Sequence, residues 1–287
     1  MELIVDTIIN ALIISSMYIL AALGFAFLFN MLKIFNLAHG AIYMIGGYIA
    51  YYFIIWIGIN QWIALLIAVV IVAILGVLLE RYMFRRVVGD FNLVVMACVV
   101  IVVVLQTTVN IMVGNKTMAI PPFAEGVLRA GMISVSYERL VTFAVGAVLL
   151  GAIIWFVNHT RIGQQMQAIA QHRGGAILQG IDIYRVSAVA FALGCALAAV
   201  AGVFMGAYLR LSPFMGDLML VKVLIIFMLA GAGSIGGILI AGLILGTLTA
   251  VLPVLVGGAA SDAIIIAIVI ILLLFRPQGF FGYEAEM

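Results

Sequence analysis

Stretches such as Val99–Leu105 and Ile264–Phe275 contain no polar side chain at all. A half-buried strand alternates apolar and polar positions, and a surface helix keeps one polar stripe. A continuous apolar run does neither. Its backbone must be satisfied within the segment while its side chains meet an apolar medium. In a bilayer only helices and closed barrels satisfy that condition, and barrel strands alternate over about ten residues. The runs here do not alternate, so membrane-spanning helices are predicted. Composition agrees: 67% of the 287 residues are hydrophobic and 8% are charged, against roughly 25% charged in an ordinary soluble domain. The expected fold is all-α, a polytopic integral membrane helical bundle, with the whole chain 1–287 forming one transmembrane domain.

A crossing takes about 20 residues. The apolar length partitions into Leu3–Phe29, a segment from Asn36 to Ile57, Trp62–Leu79, Leu93–Val113, Leu140–Val157 and Val186–Leu209. Leu218–Phe275 is interrupted by Gly231, Gly233, Gly236 and Gly237. It is expected to hold one half-length or re-entrant helix and then two fuller spans, for a total of about eight or nine. Polar loops are expected at Glu80–Asp90 and Gly114–Arg139. The start of the chain lacks the basic region and small-residue cleavage site of a signal peptide, so the first helix is expected to be retained. Lysine and arginine bias sets orientation. Placing Arg81, Arg85 and Arg86 inside also puts Lys33, Arg161, Arg173, Arg185 and Arg276 inside. Lys116, Arg129, Arg139, Arg210 and Lys222 then lie outside, with the N-terminus.

Several chemistries are disfavoured. No GxxxxGK[ST] phosphate loop occurs, so the chain is not expected to hydrolyse ATP. No HExxH motif or Cys/His cluster has metal spacing, and no metal or cofactor is expected. A net charge of +2 without a long basic run points to no nucleic-acid partner. Cys98 and Cys195 lie in separate apolar runs and read as packing residues rather than a disulfide. Ser212-Pro213 and Ser261-Asp262 are turn signals. Ionisable groups are scarce within the spans, with Lys222 and Asp262 placed near span ends. Ion-coupled transporters keep buried acids, so a secondary transporter or channel for a small polar solute is the alternative rather than the first reading. A lipid-modifying enzyme would need partners for His39, His159 or His172, and the sequence offers no obvious acid or metal ligand beside them.

Three features stand out. Gly194, Ala198, Gly202 and Gly206 recur every four residues, as do Gly233 and Gly237, and Gly242 and Gly246. Such spacing gives one small-residue face for close helix packing, within the chain or at a contact that moves. Asn36-Leu37-Ala38-His39-Gly40 places polar groups beside glycines. It ties a helix end or breaks a helix along a pathway, with Gly231–Gly246 as the matching segment of the second half. Asn158–Arg185 is a polar island in which Met166, Ile169, Ala170, Ile177, Leu178 and Ile181 recur at roughly helical spacing. Short amphipathic helices at the membrane surface are predicted there, able to dock into a partner's groove.

The run NLAHG followed by AIYMIGGY, after Ser16-Met17-Tyr18-Ile19-Leu20-Ala21-Ala22-Leu23-Gly24, resembles the H-type permease subunit of bacterial branched-chain amino acid ABC importers. MQAIAQHRGGAILQGIDIYRVSAVAFALGCALAAVAGVF resembles that family's cytoplasmic loop and following span, and FRPQGFFG its C-terminal sequence. The resemblance covers nearly the whole chain. It implies a second related permease, two cytoplasmic ATPase subunits, an external substrate-binding protein and a bacterial inner membrane. Residues 158–185 would form the ATPase-coupling loop, with Ala168, Ala170, Ala176, Gly180, Ile181 and Asp182 fitting the family pattern. His172, Gly174 and Gly175 depart from it, since members commonly carry an acid–alanine pair at the last two positions. The translocation path is expected to pass Ser16, Tyr18, Asn36, His39, Gly40 and Gly46.

Overall fold

The computed structural model describes residues 2–33, 35–114, 116–130, 133–231, 234–276 and 279–280. Gly233, Pro277, Gln278, Phe281 and Gly282, which enter the readings above, lie outside the described residues. The chain forms α1 (Glu2–Leu32), α2 (His39–Ile55) and α3 (Gln61–Leu79), then a π-helical turn (Glu80–Phe84) and α4 (Arg85–Val87). α5 (Phe91–Val113) leads to β1 (Val127–Ala130) and β2 (Ile133–Ser136). There follow α6 (Tyr137–His159), α7 (Arg161–Gln171), α8 (Arg173–Leu178), α9 (Ile183–Tyr208), α10 (Met215–Ala230), α11 (Ile235–Val256) and α12 (Gly258–Phe275). Among the described residues, 6 helices are long and apolar enough to cross a membrane, and His39–Ile55 and Ala260–Leu272 are shorter apolar helices. α1 and α9 are buried along most of their length, whereas α3, α5, α6 and α11 expose large apolar side chains such as Leu66, Val104, Val148 and Leu243.

Helix starts follow short polar side chains that accept otherwise unpaired backbone N–H groups. Asn60 caps α3, Asp90 caps α5, Thr160 caps α7, Asp182 caps α9 and Ser234 caps α11. In the last third, α10, α11 and α12 have 16, 22 and 18 residues, so one short helix precedes two longer ones. Gly231, at φ +80°, forms the junction between α10 and α11. Gly231–Gly246 therefore starts at a break between helices and runs into α11, as Asn36–Tyr48 starts before α2 and runs into it.

Two local expectations are corrected. Glu80–Asp90 is not a polar loop: the helix runs on from Gln61 to Val87. Glu80 and Arg85 neutralise each other across the π turn, which removes the reason to leave the helix. The connection after α5 contains an antiparallel hairpin, Val127 opposite Ser136 and Ala130 opposite Ile133. The alternation of Ile133-Ser134-Val135-Ser136 suits a strand. The bundle remains helical, and the hairpin decorates a connection.

Contacts divide the chain into two compact units. The first comprises Met1–Ala22, Pro122–Leu150 and Val221–Met287. Within it α11 packs on α12. Gly242 and Gly246 of α11 leave room for Ile19 and Ser15 of α1, and Gly146 of α6 for Ser16. The second unit comprises Leu23–Pro121 and Gly151–Leu220, and is built on mutual packing of α2, α3 and α9. A Cβ at Gly46 would lie 2.5 Å from the Ala199 Cα, and one at Gly24 would lie 2.5 Å from the Gly194 carbonyl oxygen. Gly202 makes room for the Tyr43 carbonyl, and Gly206 for Leu211 and Ile120. The small-residue face of α9 therefore packs against its own chain. Cys98 and Cys195 are buried free thiols, and Cys98 belongs to a core with Leu28, Phe84 and Phe191.

Candidate coupling surface and translocation path

The polar island folds into two short helices tied down at several points. Gly163 permits a sharp α6–α7 turn, because a side chain there would strike the backbone of Phe156 and Val157. Thr160 Oγ1 accepts the Gly163 N–H at 3.1 Å. Gln167 Nε2 donates to the Val157 carbonyl and the Asn158 amide oxygen, both at 3.2 Å. Lys33 Nζ, just beyond α1, donates to the Ala170 carbonyl at 3.0 Å. His172 caps α8, its Nδ1 accepting from the Gly175 N–H at 2.8 Å. This offsets part of the helix cost of Gly174 and Gly175, each about 1 kcal/mol against alanine.

α8 ends in a Schellman turn. The Ile181 N–H bonds back to the Ala176 carbonyl at 3.1 Å and the Gly180 N–H to the Ile177 carbonyl at 2.9 Å. Gly180 takes φ +78°, a left-handed conformation that disfavours any side chain. Asp182 then caps α9 through the Arg185 N–H at 3.1 Å.

Met166 and Ile169 are buried, as the amphipathic pattern predicted. The second helix differs from it. Ala176 is the buried member, while Ile177 and Leu178 point outward, at 56% and 91% exposure. Of the six residues singled out in this loop, Ala176 therefore faces inward and Gly180, Ile181 and Asp182 form the turn. His172 caps α8 and starts it in a new phase, which turns Ile177 and Leu178 outward.

The path candidates divide between the two units. In the second, Asn36, His39, Gly40 and Gly46 are all buried. Asn36 Oδ1 accepts the Ala38 N–H at 3.1 Å, and the His39 N–H bonds to the Asn36 carbonyl at 3.1 Å. This segment thus ties the start of α2, as the helix-end reading held. His39 stands edge-on to Phe25 with ring centroids 5.7 Å apart. Gly40 meets the Gly216 backbone, and Gly46 meets α9. In the first unit, Ser16 donates to its own helix at the Ile13 carbonyl, 2.8 Å. Tyr18 accepts from Lys222 Nζ at 2.9 Å. Lys222 is not near a span end; it lies mid-way along α10, 3.8 Å from Asp262 Oδ1.

A second charged cluster went unread in the sequence. Arg85 Nε contacts both Glu80 oxygens, at 2.8 and 3.0 Å. Its Nη2 donates to the Tyr184 carbonyl at 2.9 Å, and its guanidinium lies 4.8 Å from the Tyr184 ring centroid. The spacing of five residues is hidden from an α-helical reading, which looks three and four apart.

The family model described as the permease component of the branched-chain amino acid transport system matches residues 7–274. The chain belongs to that permease family. It is 30% identical to the high-affinity branched-chain amino acid transport system permease protein BraD of Pseudomonas aeruginosa, over 96% of this chain and 94% of that protein. It is likewise 30% identical to the permease protein LivH of Escherichia coli K12, over 95% and 94%. Identity to a probable branched-chain amino acid transport permease protein LivH of Methanocaldococcus jannaschii is 24%, over 96% and 91%. No solved structure matches the permease. Together with its long apolar helices, membership makes this a multi-pass membrane transport protein.

Proposed function

We propose that this permease is the membrane subunit of an ATP-driven importer for branched-chain amino acids, seated in the bacterial inner membrane. The observation that carries the reading is the polar surface Arg161–Asp182. Its helices are anchored to the bundle, yet it presents Ile177 and Leu178 outward. An exposed apolar pair at the end of a short surface helix suits a groove on a soluble partner. In this reading two cytoplasmic ATPase subunits dock there, since the chain has no phosphate loop of its own. A second related permease completes the path, and an external binding protein delivers the substrate. The names of the relatives supply the substrate class.

Docking fixes the orientation, with α7, α8, Lys33 and Arg85 on the cytoplasmic side. Crossings by α1, α2, α3–α4, α5, α6, α9, α10, α11 and α12 follow, α10 being the shortest, and they return Arg276 to the cytoplasmic side. ATP binding closes the ATPases and displaces α7 and α8. Lys33–Ala170 passes this motion to the end of α1, and Arg85–Tyr184 passes it to the end of α3. Helices carrying Ser16, Tyr18, Asn36, His39, Gly40 and Gly46 then rearrange in alternating access.

The test uses the complete transporter in proteoliposomes. Leu178→Asp costs the fold less than about 0.5 kcal/mol, being a surface change, but detaches the ATPase subunits and abolishes ATP-driven leucine uptake. Replacing Gly180-Ile181-Asp182 has the same effect on uptake. Full uptake by both variants refutes the coupling role.

A further inference from the structure

α10 carries one lysine in the middle of a helix otherwise apolar from Leu218 to Ala230. An ionisable side chain at such a position is costly, and in membrane helices it usually marks a substrate or ion pathway. Its surroundings here are unusual for a structural charge. Lys222 Nζ donates to the Tyr18 hydroxyl at 2.9 Å and sits 5.3 Å from the centroid of the same ring. Both contacts orient an ammonium without neutralising it. Tyr18 is only 3% exposed, so this side of the site is fixed. The carboxylate of Asp262 stands 3.8 Å away, beyond hydrogen-bond length. The Asp262 side chain is 62% exposed and that of Lys222 is 21% exposed. An ammonium has three donors. Tyr18 engages one of them, and Asp262 supplies charge without close contact.

We propose that Lys222 binds the carboxylate of the transported amino acid, which displaces Asp262 while Tyr18 holds the ammonium in place. The assignment rests on the amino-acid importer reading above. The α-carboxyl of a free amino acid is fully ionised at neutral pH and arrives charged. Within an apolar bundle it needs a fixed positive partner. Two carboxylates competing for one ammonium give exchange rather than trapping: the incoming group forms a short bond, and Asp262 recovers the lysine when the substrate leaves. The same unit also holds an apolar cavity on the N-terminal part of α1. This cavity, of about 420 Å³, is lined by Ala11, Leu12, Val251 and Leu255, among others. Ala11 and Tyr18 are seven residues apart on one face of α1, about 10 Å along it.

The experiment measures leucine uptake by the complete transporter with its binding protein, for the parent and four variants. Lys222→Met is expected to raise KM or lower uptake roughly 10- to 100-fold, the scale of one lost charge-assisted hydrogen bond. Lys222→Arg keeps the charge and recovers most of the uptake, which separates loss of charge from misfolding. Asp262→Asn lowers KM by removing the competitor. The double variant Lys222→Met with Asp262→Asn stays as defective as Lys222→Met. If the double variant regains parental uptake, the pair only balances its own charges and the assignment is overturned. Parental uptake by Lys222→Met overturns it as well. A parent complex that moves no amino acid overturns the importer reading itself, an outcome distinct from either variant result.

Discussion

Of the three acid–base pairs among the described residues, Glu80–Arg85 and Lys222–Asp262 are built differently. Glu80 is 1% exposed, and both its oxygens lie within 3.0 Å of Arg85 Nε. Arg85 is further closed by the ring and carbonyl of Tyr184. Asp262 is mostly exposed and stands 3.8 Å from Lys222. The backbone explains the first geometry. Residues five apart on an α-helix are rotated by about 140°, too far for a two-point contact. The π turn shifts the helix to an i→i+5 register, shown by the Arg85 N–H bonding to the Glu80 carbonyl, and so brings both side chains to one face. The second pair has no such device. A pair whose acid is buried and doubly contacted fixes a helix end, whereas a pair with an exposed, distant acid can change partners.

The largest effect expected from breaking this comparison is at Arg85. Arg85→Met leaves the Glu80 carboxylate buried and unpaired, which costs about 3–5 kcal/mol. Thermal unfolding of the purified permease in detergent would show a markedly lower midpoint or no folded protein. A shift no larger than that of a surface substitution would remove the distinction between the pairs.

A smaller effect sharpens it from the packing side. Gly76 lies one turn before Glu80, and a Cβ there would fall 2.6 Å from Cys195 Sγ and 2.9 Å from the Phe191 carbonyl oxygen. The helix end bearing Glu80 is thus seated directly on α9. Gly76→Ala overpacks that seat and costs about 1–3 kcal/mol. The same unfolding measurement should rank it below Arg85→Met. A neutral result would mean that α3 and α9 are free to separate near the clasp.

The difference between the pairs also explains what the sequence could reveal. Apolar runs located the helices, because lipid leaves a continuous run one way to satisfy its backbone. Arg81, Arg85 and Arg86 were read as a loop because a charge looks like an exit from the membrane until its partner is known. Lys222 was placed near a span end on that logic, and its contact with Tyr18 joins residues 204 apart in sequence. Alternation in Ile133–Ser136 carried the hairpin signal, but a single short strand is weak evidence beside so much helix. At α8 the pattern failed through phase, since one cap at His172 turns Ile177 and Leu178 outward.

The smallest effect is at Asp262. If Lys222 and Asp262 formed a structural pair like Glu80 and Arg85, removing the carboxylate would strand a charge and cost several kcal/mol. The geometry argues otherwise. At 3.8 Å, with Asp262 62% exposed, the pair resembles exposed ion pairs worth about 0.2–1 kcal/mol. Lys222 also keeps its bond to Tyr18 when the acid is gone. Asp262→Asn should therefore lower the unfolding midpoint by no more than that small amount, and added salt should shrink the difference between variant and parent. Arg85→Met, by contrast, should remain destabilised at every salt concentration, because its defect is a dry, unpaired carboxylate. Equal losses for the two variants, both insensitive to salt, would make Lys222–Asp262 a second clasp and leave the lysine with no partner to exchange.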